Sequence, residues 1–143
     1  MKNLTTKLMM AAAAMVSMAG LASAQTLEAN VPFAFRANGK VLPAGTYRVH
    51  TNRTPSGAGE FVIQGHESGQ HVLAVGFYDG EAKAAWKQAG NAVLQFECGV
   101  SRCALKSVWM GSGESVYSIP VPKLGKDEPR RTAEVLMHPA KGD

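Results

Sequence analysis

The stretch GKVLPAGTYRVHT, residues 39–51, decides the fold class, because it sets a turn and a strand side by side. Pro43 pre-sets the first central position of a β-turn, Ala44 suits the second if the turn is type I, and Gly45 stands at the fourth place, where glycine is favoured. The chain therefore reverses and enters Thr46-Tyr47-Arg48-Val49-His50-Thr51. Side chains there alternate, with Tyr47 and Val49 on one face and Arg48 and His50 on the other, the signature of a half-buried strand.

The same grammar repeats along the chain. Short apolar runs at 30–36, 45–51, 60–64, 71–77, 92–98, 103–110 and 116–119 are separated by turn-rich segments at 53–59, 67–70 and 111–114. Intervals of roughly ten residues are the spacing of an antiparallel sandwich or barrel. Two segments depart from it. Residues 79–90, DGEAKAAWKQAG, place Ala82, Ala85, Trp86 and Ala89 at helical spacing, with Asp79 as a cap and Gly90 as a stop, and predict a short helix or a loop. Residues 126–138 fit a helix, and equally a final strand in which Ala133, Val135 and Met137 alternate with Thr132, Glu134 and Leu136. Periodicity does not choose between them. The expectation is an all-β domain, an antiparallel β-sandwich or flattened barrel of about seven or eight strands.

The N-terminus speaks to compartment. Lys2 and Lys7 precede an apolar Ala/Met-rich run from Leu8 to Leu21, followed by Ala22-Ser23-Ala24, the three parts of a secretory signal peptide cleaved before Gln25. The run is shorter than the about 20 apolar residues a transmembrane helix requires. The expected organisation is a signal peptide at 1–24 and a single β-rich domain at 25–143, with 126–143 open to being a peripheral tail. Export to the periplasm or the outside of the cell follows, with no transmembrane anchor in the mature protein. The signal segment takes two lysines with it, so the mature charge is 13 basic against 11 acidic residues, or +2. No basic-aromatic face of the kind that nucleic acid requires is present, and nucleic acid is not an expected partner.

Together with Val31-Pro32-Phe33-Ala34-Phe35, the turn at 39–47 resembles a family of small exported bacterial β-proteins that carry (V/I)PF-x-F followed by G-x-x-LPAG-x-Y after a signal peptide. The likeness covers the N-terminal third and, more loosely, the apolar run that ends in Val108-Trp109. It implies a small exported β-domain and brings no activity, cofactor or catalytic residue. The two cysteines are not part of that pattern.

Cys98 and Cys103 end one expected strand and begin the next, with Gly99-Val100-Ser101-Arg102 between them. Opposed residues of an antiparallel pair lie within the span a disulfide bridges, and an oxidising compartment makes the bond the default. Redox catalysis wants C-x-x-C at a helix start, which is not the arrangement here. His66 and His71 also bracket a four-residue turn and offer two ligands for a metal, with His50 or Glu67 as further donors, yet no third ligand has diagnostic spacing. Gly111-Ser112-Gly113-Glu114-Ser115 lacks the order of a nucleophile elbow, and nothing selects two of the carboxylates for glycoside cleavage. No catalytic residue is therefore marked, and no cofactor is expected. The function read from the sequence is non-catalytic binding or structural work in the envelope or outside the cell. Two alternatives stand beside it: a hydrolase with a site on the sheet face at Arg48 and His50, and a metal-binding protein using His66 and His71. Trp86, beside Lys83 and Lys87, is either a ligand platform with Arg48 and His50 or a lid packed on the sheet.

Overall fold

A computed structural model describes residues 26–53, 58–123 and 127–141; the signal segment and its cleavage site lie outside the described residues. Among the described residues the strands are β1 (Leu27–Val31), β2 (Phe35–Ala37), β3 (Lys40–Leu42), β4 (Gly45–Arg53), β5 (Gly59–Gly65), β6 (His71–Tyr78), β7 (Ala92–Cys98), β8 (Cys103–Trp109), β9 (Val116–Ser118) and β10 (Arg131–Pro139), with one helix, α1 (Ala84–Ala89), between β6 and β7.

Eight strands close on themselves in the order β8-β7-β10-β1-β4-β5-β6-β9, and β9 pairs back onto β8. Every pairing in this ring is antiparallel. The fold is thus a closed barrel, which leaves no free sheet edge around the ring where β9 completes it. The C-terminal segment is a strand, and it is integral: β10 sits between β7 and β1, pairing Val135 with Leu94 and Glu28 with His138. Pro129 and Asp127 precede it, and the tail alternative does not hold.

An eight-stranded barrel is just wide enough for side chains to fill. Val31, Tyr47, Val49, Phe61, Ile63, Leu94, Phe96, Leu105, Val108 and Met137 all point inward and are buried. Phe35 meets Tyr47 and Phe96 edge-on, with ring centroids 5.2 Å apart in both pairs. Each such ring contributes roughly 1.5–3 kcal/mol by burial, and an edge-to-face pair adds about 0.5–1.5 kcal/mol.

Phe35 reaches the interior by an unexpected route. The run expected as one strand over 30–36 is two, broken at Pro32-Phe33-Ala34, and residues 40–42 form a further three-residue strand. β2 and β3 make a small hairpin that attaches to β8 through one parallel bridge, Arg36 opposite Ala104. It stands beside β6 where β9 does not reach: Asn38 Nδ2 donates to Leu73 O at 2.9 Å and Lys40 Nζ to His71 O at 3.2 Å. Register partners Phe35 and Leu42 both drive inward from it. The hairpin is a wedge in the barrel wall.

Outside the ring lies a second apolar cluster of Ala82, Trp86, Val93, Trp109 and Val116. α1 delivers Trp86, 5% exposed, onto Trp109 with the rings stacked at 6.1 Å. The helix begins after Lys83 rather than at Asp79, and stops at Gly90, whose φ of 75° is left-handed and whose N–H bonds to Trp86 O. Asp79 instead directs its backbone N–H to Val116 O at 2.8 Å.

A candidate ligand cleft beside the disulfide hairpin

With the interior filled by side chains, the recess that could take a ligand lies on the outer wall. The expected disulfide is present at the end of β7 and β8, where its cysteines face the core: Cys98 and Cys103 are register partners and bonded, with Cα atoms 4.0 Å apart. Gly99 N–H bonds to Arg102 O at 2.7 Å, so the next pair outward is the hydrogen-bonded one. Cys98 and Cys103 therefore occupy a non-hydrogen-bonded position, where opposed Cα atoms approach most closely.

From this clasp the outer wall can be read residue by residue. On β7 and β8, Glu97 stands opposite Ala104, and Ala104 stands opposite Arg36 of β2. Register partners share a face, so Glu97, Ala104 and Arg36 form one row across three strands. Neighbouring strands are about 4.8 Å apart, which puts the acid and the guanidinium on either side of a methyl-sized floor. Ser101, Arg102, Cys103, Val121, Pro122, Lys123 and Glu128 complete the lining of a cleft of about 320 Å³.

The charges in this cleft are not equally committed. Glu97, whose side chain is 16% exposed, lies 3.6 Å from Arg130 Nε. Glu128 Oε1 accepts the Val100 N–H at 3.0 Å, tying the segment after β9 to the hairpin tip. Arg36, Arg102 and Lys123 have no carboxylate within ion-pair reach among the described residues. The arrangement can hold an anionic group by Coulomb attraction and hydrogen-bond donation; among its lining groups no nucleophile is paired with a base.

The residues singled out from sequence fall elsewhere. Arg48 and His50 do share the outer face of β4, with Arg48 in register between Glu28 and Gln64 and His50 opposite Val62. His66 and His71 do not face each other as the Cys pair does: β5 and β6 pair Gln64 with His71, leaving His66 in the turn, where its N–H bonds to Thr46 O. The cause is a bond from Gly65 N–H to Gln70 O, which sets the four-residue turn at 66–69, one residue earlier in the chain than expected. Among the described residues no three His, Cys, Asp or Glu side chains gather as metal ligands. Trp86 is a buried lid, and Lys83 Nζ lies 5.2 Å from its ring centroid.

Sequence reasoning missed Arg36, Arg102, Lys123, Glu97 and Glu128 as a group. Arg36 carries one legible signal, as the polar residue between Phe35 and Ala37 in a run that otherwise faces inward. That β2 lands beside β8 is a matter of topology. Compared with known proteins, the chain matches no family model, no curated protein and no solved structure at a significant level. Among the described residues no helix is long and apolar enough to cross a membrane.

Proposed function

We propose that the chain is an exported, non-catalytic binding domain that takes its ligand on the outer wall, in the cleft beside the Cys98–Cys103 hairpin. The observation that carries this reading is the uneven commitment of charge in the cleft: Glu97 pairs with Arg130 and Glu128 accepts the Val100 N–H, whereas among the described residues Arg36, Arg102 and Lys123 have no carboxylate within ion-pair reach. A filled interior supports it, since ligand capture inside the barrel would require emptying a core of large rings. Export is supported by the charged, apolar and small-residue parts of segment 1–24 and by an oxidised cysteine pair. The likeness of VPFAF and GKVLPAGTY to small exported bacterial β-proteins points the same way.

The test is a ligand screen by heteronuclear NMR on protein recovered after export. Amide shifts confined to 36, 97, 101–104, 121, 123 and 128 are the expected result. Shifts that gather on the β4 face around Arg48 and His50 would favour the hydrolase reading, and turnover of an ester or glycoside abolished by His50→Ala would replace the binding role.

A further inference from the structure

We infer that the ligand of this cleft is a small organic anion, a carboxylate or a phosphate ester on a short carbon skeleton; the inference rests on the binding role proposed above. What the cleft lacks is negative charge. Its lining carries Arg36, Arg102 and Lys123 against Glu97 and Glu128, and Arg130 stands beside Glu97. Glu97 is paired with Arg130, so among the described residues Glu128, which also accepts the Val100 N–H, is the one lining carboxylate left to offset three cations, and none of the three lies within ion-pair reach of it; the surplus positive charge is met by solvent or by a ligand. In a recess with protein walls such attraction exceeds its value in bulk water.

The kind of anion follows from the donors. Two of the three cations are guanidinium groups, planar forks that match the two oxygens of a carboxylate or phosphate, while the lysine adds a point charge. Arg36 is half-buried on a strand, which limits the side-chain freedom lost on binding, and Arg102 is exposed in the hairpin loop. Ala104, Cys103, Val121 and Pro122 supply apolar surface for a few carbons, and Ser101 a hydroxyl. A space of about 320 Å³ is at the small end of ligand sites, which run roughly 300–1,000 Å³. The carboxylates of Glu128 and, behind Arg130, of Glu97 disfavour a long polyanion, since repeated phosphates would be brought against them. A compact mono- or dianion avoids them.

Isothermal titration and NMR with succinate, glycerol phosphate and inorganic phosphate test this, with free lysine and glucose as cationic and neutral probes. The expected result is saturable binding of succinate or glycerol phosphate at millimolar concentration or below, with shifts in the cleft, weakening as sodium chloride is raised. Succinate against glycerol phosphate separates the two sources of the anion, and inorganic phosphate shows whether the carbon skeleton counts. Arg36→Ala and Arg102→Ala should each weaken binding about tenfold or more, the loss expected when one charged hydrogen bond is removed. Arg102 lies outside the ladder, so Arg102→Ala keeps the test valid if Arg36→Ala disturbs the hairpin. Affinity unchanged in both variants, or no anion bound, overturns the inference. Lysine or glucose bound in the cleft overturns the anion class while leaving the cleft as the binding site; shifts confined to other surfaces overturn both.

Discussion

Tyr47 links the most legible motif in the chain to the core. Its ring is buried against Phe35, and its hydroxyl donates back to the carbonyl of Pro43, four residues upstream. The LPAG-x-Y run is thus a turn whose following tyrosine fastens it. Tyr47→Phe keeps the ring and removes the fastener, at an expected cost of about 1 kcal/mol, read as a lower denaturant midpoint at unchanged slope. Burial also raises the pKa of Tyr47 above its usual value. The folded protein therefore holds that proton to higher pH than the unfolded chain does. The resulting stability is full below about pH 10 and is lost as pH rises through the folded value, so the alkaline limb of a stability–pH curve should flatten in Tyr47→Phe.

Two glycines matter at the same scale for a different reason. Gly59 and Gly76 are register partners on β5 and β6, and the Tyr117 side chain lies over them, its ring against Gly59 and its Cβ against Gly76. A Cβ on Gly59 would stand 2.7 Å from Tyr117 Cδ1 and 2.9 Å from Phe61 Cε2. Gly59→Ala should cost about 1–3 kcal/mol by overpacking. Adding Tyr117→Ala should then cost less than it does alone, a coupling measurable in a double-mutant cycle. Additive costs would show that the ring does not rest on the glycine pair.

At the scale of elements, the Cys98–Cys103 hairpin combines stability with position. The bond closes a loop of only six residues, so reduction or the Cys98→Ser, Cys103→Ser double variant should cost about 2 kcal/mol. Its second effect falls on the cleft, because Ser101 and Arg102 are held by the clasp and Cys103 is part of the lining. Chemical denaturation with and without reductant checks the first effect. These hairpins were readable because turn residues and alternation mark them locally. Three-residue elements such as β3 are too short to display a period, and Pro32-Phe33-Ala34 hides a break inside an apolar run. For residues 126–138 both periods fitted, and tertiary pairing decided: the strand finds partners on both sides.

For the whole molecule, the information absent from the local pattern is closure. Sandwich and barrel share strand count, spacing and alternation, and differ in which distant segments pair. Here Leu27 meets Pro139 and Arg36 meets Ala104, contacts that no window of sequence displays. The cleft is hidden for the same reason, since its cations and acids come from β2, the hairpin loop, β7 and the segment after β9. A ring closed by its first and last strands also concentrates stability at the joint. Deleting residues 130–143 would remove β10, orphan an edge of both β1 and β7, and uncover Leu94, Phe96 and Ala29, beside which Val135, Ala133 and Met137 now stand. Lost burial of Val135 and Met137 alone is worth about 3–6 kcal/mol, a large share of a typical domain's 5–15 kcal/mol. The truncated chain should therefore show no cooperative thermal transition by near-ultraviolet circular dichroism. A cooperative melt within a few degrees of the intact protein would mean that the remaining strands hold the fold without closure of the ring.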